Sequence, residues 1–159
     1  MLHLIPAPLH RQGLRLAHAM RRVWWRLAKP TLRGTRVMAF DAAGRVLLIR
    51  HSYGSGHWML PGGGIGRGEE PLAAGQRELR EETACILLQP RCFAEVEAQI
   101  YGTVHRVYMV CGVAQGTLCC DGREVIEACF FAPDDLPEPL SPALKLQFAQ
   151  WLDLARTSK

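Results

Sequence analysis

Apolar positions recur along this chain with two periods, one helical and one strand-like. Residues 14–28, LRLAHAMRRVWWRLA, follow the helical period: Leu16, Ala19, Met20, Val23, Trp24 and Leu27 share one face. Arg15, Arg22 and Arg26 share the other, with Trp25 among them, and Pro30 ends the segment. Residues 1–12 hold Pro6 and Pro8 and show no period, as expected of a loose arm. The runs GTRVMAF (34–40) and RVLLIR (45–50) are strand-like, and the turn Asp41-Ala42-Ala43-Gly44 joins them as a hairpin. A loop at 51–57 leads to a short strand, Trp58-Met59-Leu60, and then to Pro61 and three glycines. Pro71 suits the first turn of a helix running to about Thr83. Strand character returns at 86–98, 104–113 and 125–131, with turns at Gly102 and Cys120-Asp121-Gly122. After a proline-rich connection, residues 143–155 form a closing amphipathic helix that turns Leu144, Phe148, Trp151 and Leu152 inward. This order predicts the α/β class, a mixed sheet covered by helices. The domain organisation is a basic arm and helix at 1–30 and a single domain at 31–159.

Composition adds limits. At 159 residues with 48% hydrophobic and 21% charged positions, the chain can bury one core and is not of disordered type. No apolar run approaches the roughly 20 residues of a membrane span. The N-terminus lacks a signal-peptide core and cleavage site, which argues against secretion. None of the six cysteines forms a C-x-x-C pair or stands at zinc-finger spacing from a histidine, so we expect thiols in a reducing cytoplasm. A redox pair of Cys119 and Cys120 is the sharper alternative, and adjacent cysteines fit disulfide geometry poorly.

Charge is uneven. Residues 1–40 carry eight basic side chains and no acid, against +4 for the whole chain. For residues 14–28 the plain expectation is docking of the apolar face on the domain. Contact with a membrane surface or a partner, or a transit-peptide role, is the alternative.

The chemistry concentrates in WMLPGGGIGRGEEPLAAGQRELREETAC, residues 58–85. Glu78, Glu81 and Glu82 stand at i, i+3 and i+4, neighbours on one helical face. Two such charges about 4 Å apart repel by on the order of 4 kcal/mol at an effective dielectric of 20. Arg77 and Arg80 relieve part of this. A solvated, charge-mixed helix surface would account for the helix alone. The Pro61–Gly64 loop changes that, because bare backbone there can approach ligands. Oxygen-only donors favour magnesium, manganese or calcium over zinc.

Gly63, Glu69, Arg77, Glu78, Leu79, Glu81 and Glu82 resemble the Nudix box, G-x5-E-x7-R-E-U-x-E-E-x-G-U, with U an apolar residue. Trp58 to Gly63 is similar to the stretch that leads into it. Ala84 stands where the family has glycine, and Cys85 takes the last apolar slot. That glycine ends the helix in a left-handed conformation, so alanine should cost about 1 kcal/mol and leave metal binding alone.

The resemblance implies a Nudix-type α/β/α sandwich with the N-terminal amphipathic helix as an addition. It implies a Mg2+-dependent pyrophosphohydrolase, with Mn2+ as a substitute, acting on a nucleoside diphosphate linked to another group. Glu78, Glu81 and Glu82 would hold the ions, with the Gly62 carbonyl as a further ligand. Glu69 and Arg77 would orient the glutamates. The general base lies in the box or in a later loop, where Glu124 and Glu127 are candidates, each weighed against a plain surface acid. Gly63 and Gly64 would offer backbone to substrate. Arg50 would meet a phosphate or serve as a strand-edge charge, and Tyr53 and His57 would stack on a base. Trp58 fits either a base or the core. A nucleotide sensor without catalysis is the first alternative, and an RNA- or membrane-associated hydrolase docking through residues 14–28 is the second. Nucleic acid is the less favoured partner, and a dimer stays open.

Overall fold

Val37, Met38 and Ala39 are consecutive and all fully buried. Successive strand residues face opposite sides of a sheet, so this strand must be covered on both. The computed structural model, which describes residues 32–100, 103–120 and 122–157, shows how. The elements are β1 (Leu32–Phe40), β2 (Val46–His51), α1 (Pro71–Thr83), β3 (Ile86–Ile100), β4 (Thr103–Gln115), β5 (Val125–Phe131) and α2 (Pro142–Thr157). They build a five-stranded sheet in the order β3-β4-β1-β2-β5. β1 runs parallel to β4, while the β1–β2, β2–β5 and β3–β4 pairs are antiparallel, so the sheet is mixed as expected.

One face carries α1: Leu79 packs with Val37, Ala39, Leu47, Cys85, Leu87 and Val110. The other carries α2: Leu144, Phe148 and Trp151 pack with Met38, Val46, Leu48, Trp58, Met109 and Cys111. The core reading of Trp58 therefore holds.

The expected hairpin of β1 and β2 is reduced to the pair Phe40 and Val46. Beyond it, the stretch before α1 takes the edge of β1. Val37 N donates to the Pro61 carbonyl at 2.8 Å, Thr35 N to the Gly63 carbonyl at 2.9 Å, and Ile65 N to the Arg33 carbonyl at 3.1 Å. Trp58–Leu60, expected as a strand, makes isolated bridges only, Met59 with Ile49 and Trp58 with Leu140. Pro61 follows at once, has no N–H to continue a ladder, and turns the chain toward β1. The β3–β4 ribbon is longer than its apolar pattern indicated, reaching Ile100 and Gln115, and Glu95 and Glu97 pair with Arg106 across it by charge.

Pro71 sits in the first turn of α1, and Ala84 caps the helix at φ 61°, its N–H donating to the Arg80 carbonyl. An L-residue pays for this left-handed backbone. Ala84→Gly should raise stability by about 1 kcal/mol, a shift of a few degrees in thermal melting, with activity unchanged. The cysteines are free thiols. No helix among the described residues is long and apolar enough to cross a membrane. The expected arm, the helix at 14–28 and the turns at Gly102 and Asp121 fall on residues outside those described.

Candidate active site

The site is built where α1 meets the loop held against β1. Arg77 is its hub. Its Nε donates to Glu69 Oε1 at 2.9 Å and its Nη2 to Glu69 Oε2 at 3.1 Å. Nη1 donates to Glu78 Oε1 at 2.8 Å and to Glu81 Oε2 at 3.2 Å. Nη2 also reaches the Gly64 carbonyl at 3.0 Å. One planar guanidinium thus ties three carboxylates and the loop together, a task its fixed fork of donors suits.

Glu69 also accepts from Gly66 N at 2.7 Å. The Arg77 hydrogen bonds, helped by that amide, hold its carboxyl down at about 2. Glu69 first, and then Glu78, raise Arg77 above its usual value. Glu78 behaves oppositely: burial pushes its carboxyl up despite Arg77, and the charges of Glu81 and Glu124 add to this.

Glu82 is buried, with 7% of its side chain exposed. Its Oε2 accepts from Gly62 N at 2.8 Å, and its Oε1 lies 3.6 Å from His51 Nε2. Burial pushes its carboxyl up to about 8 against the lowering effect of Gly62 N–H and Arg36. From the ordinary 4.5 to about 8, the folded chain keeps a proton that the unfolded chain releases. Stability contributed by this group is therefore present below about pH 4.5 and is lost as pH rises through about 8. Without divalent cation, the melting temperature should fall between about pH 5 and pH 8.5, and Glu82→Gln should flatten that slope.

The late loop supplies a fifth acid. Tyr53 Oη donates to Glu124 Oε1 at 2.8 Å, and the charge of Glu124 is felt at Glu78 and Glu82. Glu127, the other late candidate, sits on β5 opposite Arg50 and accepts from its Nη2 at 2.7 Å. Arg50 also lies over the Trp58 ring, 5.6 Å from its centre. Arg50 is thus held between Glu127 and Trp58 on the interior strand β2.

The glycines have separate uses. A Cβ on Gly63 would lie 2.5 Å from Glu78 Oε1, so the missing side chain makes room for that carboxylate. Gly64 has open space around it. The Gly62 carbonyl, expected as a metal ligand, accepts from Arg36 Nη1 at 2.6 Å. A carbonyl has a second lone pair, so this bond leaves one acceptor position.

The donors on α1 are all oxygens, within reach of one another on adjacent turns, and fit a hard divalent cation. As the side chains stand, no three acids, histidines or cysteines among the described residues converge on one point. Glu78 and Glu81 are turned onto Arg77, and Glu82 onto Gly62. Sequence reasoning missed Arg36, His51 and Ser52. They reach the site through pairing between distant segments and carry no local motif.

A family model described as NUDIX domain matches residues 30–152. An RNA pyrophosphohydrolase of Bartonella bacilliformis is 40% identical over 62 residues, 34% of this chain. The match spans only 36% of that curated relative's length. A MutT NUDIX hydrolase from Burkholderia pseudomallei superposes with a TM-score of 0.68 at 25% identity, covering 79% of this chain and 98% of that one. The NUDIX domain of Shewanella oneidensis NrtR, solved with ADP ribose, shares the fold: TM-score 0.64, 19% identity, 80% and 88% covered. The family match takes in β1 through most of α2, and with the box residues gathered around Arg77, this chain belongs to the NUDIX domain family.

Proposed function

We propose that this protein is a Mg2+-dependent pyrophosphohydrolase, active also with Mn2+, that cleaves the diphosphate of a nucleoside diphosphate linked to a second group. The observation that carries the reading is the gathering of Glu78, Glu81 and Glu82 with Glu124 around the Arg77-clamped loop. A bound divalent cation would neutralise phosphate oxygens and lower the pKa of a water.

The roles of the chain's own residues follow from their surroundings. Glu78, Glu81 and Glu82 offer the carboxylate oxygens, and the Gly62 carbonyl adds one more. Arg77 sets the directions of Glu78 and Glu81, while Glu69 keeps Arg77 in place from behind. Glu124 is the candidate general base, an acid that approaches from a different element. Gly63 and Gly64 leave the loop bare enough for a diphosphate to lie along its backbone.

The 40% identity to an RNA pyrophosphohydrolase favours a second reading, in which the diphosphate is the 5′ end of an RNA. The basic residues of 1–40 other than Arg36, which the Gly62 carbonyl holds, would then meet the RNA backbone. The same segment, through residues 14–28, would alternatively touch an anionic membrane. Free thiols suit a reducing cytoplasm as the place of action.

The test is a screen of purified protein with Mg2+ against nucleoside triphosphates, dinucleotides, nucleotide sugars, ADP-ribose and 5′-triphosphorylated RNA. Release of phosphate or pyrophosphate products identifies the class. Binding without product from every compound would overturn the hydrolase reading in favour of a sensor. Turnover of RNA alone, weakening steeply with salt, would select the second reading.

A further inference from the structure

The three residues at the end of β2 connect parts of the site that are far apart in sequence. On one side, Ser52 N donates to the Glu124 carbonyl at 2.9 Å, and Ser52 Oγ to the Arg123 carbonyl at 2.6 Å. These bonds set where the late loop runs. Tyr53 Oη, donating to Glu124 Oε1 at 2.8 Å, sets where its carboxylate points. On the other side, the Tyr53 ring stacks on His51, centres 4.9 Å apart at 29°. His51 Nε2 in turn lies 3.6 Å from Glu82 Oε1, and both side chains are buried.

We propose that Tyr53 is a positioning residue that aims the Glu124 carboxylate at the carboxylates of α1, with His51 as the buried ring that fixes the tyrosine. The proposal rests on the hydrolase reading above for its meaning in turnover. An exposed glutamate on a loop samples several rotamers, and a charge-assisted hydrogen bond selects one of them. Tyr53 has one ring face against His51 and donates its hydroxyl to Glu124, so the side chain is held at both ends. The neighbouring Arg50 holds the other late acid, Glu127, as a cross-strand partner, while it is the charge of Glu124 that reaches Glu78 and Glu82.

Tyr53→Phe tests this, because it keeps the ring and its stacking and removes only the hydroxyl. We expect kcat to fall about tenfold with KM within about twofold, as for loss of one hydrogen bond to a charged group. Melting should stay within about 2 °C of the parent. Mn2+ titrated into substrate-free protein should bind severalfold more weakly, since a negative charge has been released from beside the acids. In a Glu124→Ala background, Tyr53→Phe should change neither quantity further. Parental kcat and Mn2+ affinity in Tyr53→Phe, or losses that add in the double variant, would overturn the proposal. So would a raised KM at parental kcat, which would place the tyrosine on the substrate. Coupled loss of Mn2+ affinity in a protein that turns over no diphosphate would sink the hydrolase reading and leave the positioning role standing.

Discussion

Glu81→Gln should lower kcat at least about a hundredfold, the usual cost of removing a metal-binding or acid–base carboxylate. It should do so without a measurable change in melting temperature. Glu81 is 56% exposed, and its Oε2 meets Arg77 Nη1 at 3.2 Å. An exposed i,i+4 pair of this kind is worth about 0.3–0.5 kcal/mol. Glutamine keeps an oxygen for Arg77 and much the same volume, so the helix has no reason to change. What disappears is one negative charge out of the three on that face, which is why the loss falls on cation binding and turnover alone. Steady-state kinetics with saturating Mg2+, set beside a melting curve, separates the two. A parental rate would remove Glu81 from the machinery.

Gly62→Ala should have the largest effect on the fold, at least about 3 kcal/mol of destabilisation, read from the urea midpoint. Its Cβ would lie 2.2 Å from the Thr35 carbonyl oxygen, 2.9 Å from the Thr35 carbonyl carbon and 3.0 Å from Arg36 Cα. Its φ is 138°, where side chains are strained whatever the space. All three atoms are backbone of β1 and sit in a ladder, so they cannot yield singly. Separation would strain the bonds from Val37 N to Pro61 and from Thr35 N to Gly63, together with Gly62 N to Glu82. Gly63→Ala, one residue on, should behave differently. Its Cβ meets the end of the Glu78 side chain, which can swing aside. That variant should fold with a loss of about 1 kcal/mol or less and lose at least tenfold in turnover. A Gly62→Ala protein as stable as the parent would mean that the loop does not lie on β1.

What was legible in the sequence was local. The acids of α1 share a face because i, i+3 and i+4 always do, and the left-handed end of the helix follows from the position of Ala84. The inward residues of α2 follow the helical period, and Leu144, Phe148 and Trp151 are buried. The bounds of β5 came directly from its apolar run. What was not legible depends on distant pairing. Nothing near Leu32 says that β1 will lie parallel to β4, or that Pro61–Ile65 will displace β2 from most of its edge. The different surroundings of Glu124 and Glu127 are of the same kind. The β2–β5 register puts Glu127 opposite Arg50 and leaves Glu124 just ahead of the strand, beside Tyr53. Arg36 and His51 enter the site for the same reason, through partners 26 and 31 positions away in sequence.

The lamination of Pro61–Ile65 onto β1 has a kinetic meaning. Amides engaged in an interior ladder exchange their protons with solvent only through large-scale opening, whereas those of surface loops exchange by small fluctuations. The Thr35 and Val37 amides are locked by carbonyls of the very loop that precedes α1. Their deuterium uptake therefore reports on that loop without any substrate in hand. The loop can detach only when this part of the domain opens with it, so heat or denaturant should extinguish activity and structure in a single step.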